Sequence, residues 1–90
     1  MQAISDTSTL GLFRWGFQRA LTRWRAGQPA EWITHECQSG SAEDRGSIAA
    51  CEMLLGWHDI AERDARAHGM TRAEATRFVA EHAASLDESE

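Results

Sequence analysis

The chain has no lysine: all nine of its basic residues are arginine. That reads as the nucleotide-composition bias of a GC-rich genome, bacterial or phage, rather than as chemistry. No run of roughly 18 apolar residues is present, which argues against a membrane-spanning helix. The opening MQAISDTSTLGLF has neither the basic segment nor the apolar run of about 7 to 15 residues of a secretory signal. The expected location is therefore cytoplasmic. Cysteine is scarce too, and Cys37 and Cys51 form no C-x-x-C motif, so both are expected as free thiols in a reducing compartment.

Catalytic signatures are equally sparse. Di-iron carboxylate bundles need Glu-x-x-His so that both ligands project from one helical turn, and this chain has only Glu31 and His35, four apart. His35, Cys37, Cys51 and His58 carry ligand chemistry for zinc, but their spacing is that of no zinc finger, so no metal and no cofactor are expected. No serine or cysteine stands in a nucleophile motif, and His82 reads as a satisfied, half-buried core-edge histidine. No catalytic residue is assigned, and the chain is expected not to be an enzyme.

What is present is helical periodicity, without strand alternation, internal repeats or low-complexity segments. Leu10, Phe13, Phe17, Ala20, Leu21 and Trp24 recur three or four apart, which predicts an amphipathic helix over about 7–26. Ser5, Asp6, Thr7 or Ser8 can cap its start and Gly27 its end. Pro29 and Glu31 favour a short extra helix at about 29–38. After the QSGS turn, Ser41 with Asp44 approaches a capping box and opens a central helix over 42–68. Its inner side gathers Ala50, Met53, Leu54, Trp57, Ile60 and Ala61, and its solvated side Arg45, Glu52, Asp59 and Arg63. Two acid-before-base pairs at i,i+4, Asp59 with Arg63 and Glu62 with Arg66, suit a solvated face. Thr71 and Glu74 form a capping box for a last helix over 71–86, whose buried stripe is Ala75, Phe78, Val79, His82, Ala83 and Leu86. The expected fold is a single all-α domain over 1–90, a bundle of three main helices, with a frayed acidic tail at 87–90.

Charge is unevenly placed. Residues 1–30 carry four arginines against Asp6, a net +3, and the remainder carries five against thirteen acids, a net −8. A chain of net charge −5 is a poor non-specific binder of nucleic acid, because phosphate neutralisation supplies most of that affinity. On the first helix, Leu12, Trp15, Arg19, Thr22 and Arg23 fall opposite the apolar stripe. These five are the candidate partner-binding residues, since exposed Trp and Arg dominate binding hot spots. Trp24, in contrast, is assigned to the core. A membrane-surface role is disfavoured, because the apolar stripe is already needed for folding.

The expected function is that of a small acidic protein that binds another protein or a protein–nucleic acid complex, as adaptor, regulator or inhibitor, or that forms a homo-oligomer. A phage-type inhibitor of a nucleic-acid-handling complex, such as an anti-CRISPR protein, suits an acidic face that can occupy a groove meant for phosphates. The alternative is a helix-turn-helix transcriptional regulator around Ala65, Gly69, Met70, Ala75 and Phe78. Direct DNA binding is disfavoured because Glu74 and Glu81 share the would-be recognition helix with Arg72 and Arg77.

Overall fold

Ser8 accepts a hydrogen bond from the Gly11 amide (3.0 Å) and so caps the first helix, α1 (Thr9–Arg25). The computed structural model describes residues 8–88, so the other proposed caps, Ser5 to Thr7, lie outside the described residues. Four further helices follow: α2 (Ala30–Glu36), α3 (Ala42–Leu54), α4 (His58–Ala67) and α5 (Arg72–Glu88). The fold is all-α, and no strand occurs among the described residues. No helix among them is long and apolar enough to cross a membrane. α5 runs to Glu88, past the expected end at 86, and the last acidic residues, 89–90, lie outside the described residues.

The expected central helix over 42–68 is in fact two helices. Gly56 adopts φ +89°, and the Gly56 and Trp57 amides turn back onto the carbonyls of Met53 (3.0 Å) and Glu52 (2.8 Å). This paired 5→2 and 6→1 closure ends a helix by satisfying its last carbonyls. It is the same closure that Gly27 and Gly69 make at the ends of α1 and α4. A left-handed residue resets the helical phase, so positions extrapolated through it at 100° per residue go astray. Trp57 and Ile60, placed inside by that extrapolation, lie at the surface, while Ala50, Met53 and Ala61 are buried as expected.

The reset also folds α4 back onto α3. The side expected to be solvated is thereby partly covered, and Arg45 meets Asp64 across the joint at 3.2 Å. All three ion pairs found among the described residues join different helices: Arg19 with Glu43 (2.8 Å), Arg23 with Glu36, and Arg45 with Asp64. The expected i,i+4 pairs on α4 are not among them.

α1 and α3 pack backbone to backbone. A Cβ at Gly16 would overlap the Glu43 carbonyl, and one at Gly46 would overlap the Phe13 carbonyl. Glycine is used here for close approach, not for its dihedral freedom. Buried Ser47 locks the seam by donating its hydroxyl to the Gly16 carbonyl at 2.9 Å. Around this seam the core is Phe13, Phe17, Leu21, Ile33, Met53, Met70 and Val79, with both cysteines and six alanines. Alanine brings the helices close and leaves little interior volume for an indole. Trp24 is accordingly not a core residue but 38% exposed, edging a cleft with Met53, Leu54, Ala83 and Leu86.

Aromatic contacts join α1 to α5 and to the end of α4. Phe17 meets Phe78 and His82 of α5 edge-on at 4.7 and 4.9 Å, and Phe13 stacks on His68, which caps α4, at 4.8 Å. His82 is satisfied, as expected: its Nδ1 lies 2.8 Å from the Phe78 carbonyl and its Nε2 2.8 Å from Gln18 Nε2. These partners assign the proton to Nδ1. The Thr71 and Glu74 capping box forms reciprocally, at 2.8 and 3.1 Å. Backbone hydrogen bonding from Thr71 holds the Glu74 carboxyl below its ordinary range. At Ser41 the box is incomplete: Asp44 donates its amide to Ser41 Oγ (3.1 Å), but its carboxylate accepts from the Ser39 hydroxyl (2.5 Å) and amide (3.0 Å). Those two bonds, the hydroxyl first, lower its carboxyl.

Candidate functional site

The five residues singled out on α1 differ in exposure and in their partners. Trp15 is 62% exposed and, with Gly11, Leu12, Arg14 and Gln18, lines a shallow cleft of about 470 Å³. Leu12 is half-buried. Arg19 is held by Glu43, and Arg23 by Gln28 (2.6 Å) and Glu36. Thr22 turns its hydroxyl onto its own helix, to the Gln18 carbonyl at 3.1 Å. What remains of the five without such a partner is Trp15, beside Arg14, whose guanidinium sits 5.9 Å over the Phe78 ring.

A larger surface, which sequence reasoning missed, is formed by α2, the turn after α3 and the start of α4. α2 and the turn after α3 flank a cleft of about 410 Å³ floored by Ile48, Cys51, Glu52 and Leu55, with Trp57 on its rim. It shares Glu31 and His35 with a neighbouring cleft under Trp32. Through Trp57 it continues to Ile60, and through Gly56 and His58 to the cleft edged by Trp24. Trp32 is 62% exposed and Trp57 54%. The linings of this band carry Glu31, Glu52 and Asp59 and no arginine. Its signal in the sequence was Leu55-Gly56-Trp57: a glycine closing one helix between two large apolar residues, which leaves both at a corner.

Two buried carboxyl oxygens, Glu52 Oε1 and Asp64 Oδ2, have no hydrogen-bond donor. Burial pushes the Glu52 carboxyl up to about 8, with the hydrogen bond to Asp64 and the Asp64 charge adding to the rise and Arg45 and Arg63 opposing it. A proton held on Glu52 supplies the donor for its hydrogen bond to Asp64, which ties α3 to α4. Cys51, also on the cleft floor, is held as a neutral thiol chiefly by burial, with a hydrogen bond from Thr34 opposing. A reactive thiol needs the opposite shift.

Cys37 and Cys51 are both buried and both free. Among the described residues no three His, Cys, Asp or Glu side chains converge to hold a metal ion. The cleft therefore offers apolar contact area, aromatic rims and acidic groups. Compared with protein-family models, with curated proteins and with solved structures, the chain matches none.

Proposed function

We propose that this chain is a small, non-enzymatic helical protein that acts by binding another macromolecule, as an adaptor, regulator or inhibitor. The observation that carries this reading is the placement of tryptophan. All four sit at the surface, at 38% to 62% exposure, although indole has more apolar area to bury than any other side chain. Scattered exposed apolar residues are ordinary. Here three of the four, with Leu55 and Ile60, fall along one band of connected clefts, and exposed Trp dominates binding hot spots.

The acidic lining favours a partner with basic groups around its contact. Inhibition of a nucleic-acid-handling complex, in the manner of an anti-CRISPR protein, fits that charge by analogy of class. The helix-turn-helix alternative gains no support from the end of α4. Asp64 and His68, where that motif needs apolar packing, are polar residues engaged with Arg45 and Phe13.

Affinity capture from source-cell lysate tests the proposal when the unsubstituted chain is run beside Trp15→Ala, Trp32→Ala and a control, Arg63→Ala. The expected result is a captured protein kept by the control and lost about tenfold or more with a Trp variant. Capture that none of the Trp substitutions weakens would count against it. Binding of duplex DNA that falls steeply with salt would favour the alternative instead.

A further inference from the structure

On the reading that this chain works by binding, we propose that the acidic, aromatic socket around Glu31 and Trp32 takes the Trp15 and Arg14 face of α1 from a second copy of the chain, in a head-to-tail contact. The two surfaces are complementary in charge. The socket's two clefts share Glu31 and are lined by no arginine, whereas the α1 cleft is lined by Arg14 and by no acid. They also match in kind, since each presents a 62% exposed indole, Trp32 on one and Trp15 on the other. Indole pairs gain from offset or edge-on stacking beyond the area they bury.

Size agrees as well. The clefts at the socket, about 410 and 320 Å³, are large enough to receive one indole with an arginine stem alongside. Arg14 supplies the cation because Arg19 and Arg23 are already held by Glu43 and Glu36. The two linings have no residue in common, so the contact joins one molecule to the next. A contact between two different patches does not close on itself at two copies unless the geometry makes a ring. Association should therefore continue past the dimer as concentration rises.

Sedimentation of the full chain, with two double variants, tests this. The unsubstituted chain is expected to show an average mass that climbs beyond dimer with concentration. Arg14→Glu with Trp15→Ala removes the knob, and Glu31→Arg with Trp32→Ala removes the socket. Each variant alone is expected to stay monomeric where the unsubstituted chain is associated. Mixed in equal amounts they should form a dimer and stop there, because one intact surface of each kind remains. That recovery would also show that both variants are folded.

The proposal is overturned by an unsubstituted chain that remains monomeric to about 1 mM, by association that survives either double substitution, or by a mixture that stays monomeric. A monomeric chain whose captured partner is lost with Trp32→Ala would remove the head-to-tail contact and leave the partner-binding reading standing. Loss of both results would remove both.

Discussion

Toward α1, helix α3 presents Gly46 and Ser47, and the two backbones touch. Toward α2 the same helix presents Ile48, Cys51 and Glu52, with Leu55 in the turn that follows it, and a cleft of about 410 Å³ stays open. One side has given up side-chain volume so that the helices close. The other keeps large side chains with too little protein above them to cover them. The first arrangement gains dispersion and a buried hydrogen bond, and tolerates almost no added atom. The second leaves apolar area in water, which stabilises nothing until something covers it.

The hardest blow to that contrast is an added methyl on the closed side. Gly46→Ala should gain about 1 kcal/mol from helix propensity, yet its Cβ meets the Phe13 backbone, which cannot rotate away. A net loss of about 3 kcal/mol is expected in urea denaturation. A loss below about 1 kcal/mol would mean that α1 and α3 can part without penalty.

The joint between the two sides is expected to respond to pH. Glu52 is raised in the folded chain to about 8, from an ordinary 4.5. The folded state thus holds this proton more tightly than the unfolded one. Stability from this group is fully present below about 4.5 and is lost progressively as pH rises through about 8. Glu52→Gln keeps a donor facing Asp64 at every pH, so its melting temperature should fall less between pH 5 and pH 9 than that of the unsubstituted chain. Parallel pH profiles for the two would show that no proton bridges Glu52 and Asp64.

Smaller effects are expected on the open side. Trp24→Ala removes a ring already 38% exposed and should cost about 1 to 2 kcal/mol, less than the ~3 to 5 kcal/mol of a core aromatic. A thermal or urea melt distinguishes these ranges. Trp32→Ala, at 62% exposure, should shift stability by less than about 0.5 kcal/mol while weakening partner binding. If it unfolds the chain instead, the cleft belongs to the core.

Much of the fold was legible because its signals are local. The α1 stripe needed only residues three and four apart, and Phe13, Phe17, Ala20 and Leu21 are buried as that spacing requires. Ser8, Thr71 with Glu74, and the glycines at 27 and 69 end or begin helices through bonds spanning a few residues. Gly56 carried the same kind of signal but stood inside a longer periodic run. Reading through it placed Trp57 and Ile60 inside and Arg45 and Glu52 in solvent. On α1, exposure alone did not reveal that Arg19 and Arg23 are already paired with Glu43 and Glu36.

The sequence by itself determined an all-helical chain, most of its helix ends and the side of α1 that faces inward, since period and capping depend on neighbours along the chain. Only the tertiary structure decided which tryptophans stay outside, which arginines are engaged and where a carboxyl keeps its proton. Those outcomes depend on how closely helices approach. Here that distance is set by Gly16 and Gly46, thirty positions apart in sequence and brought together only by folding.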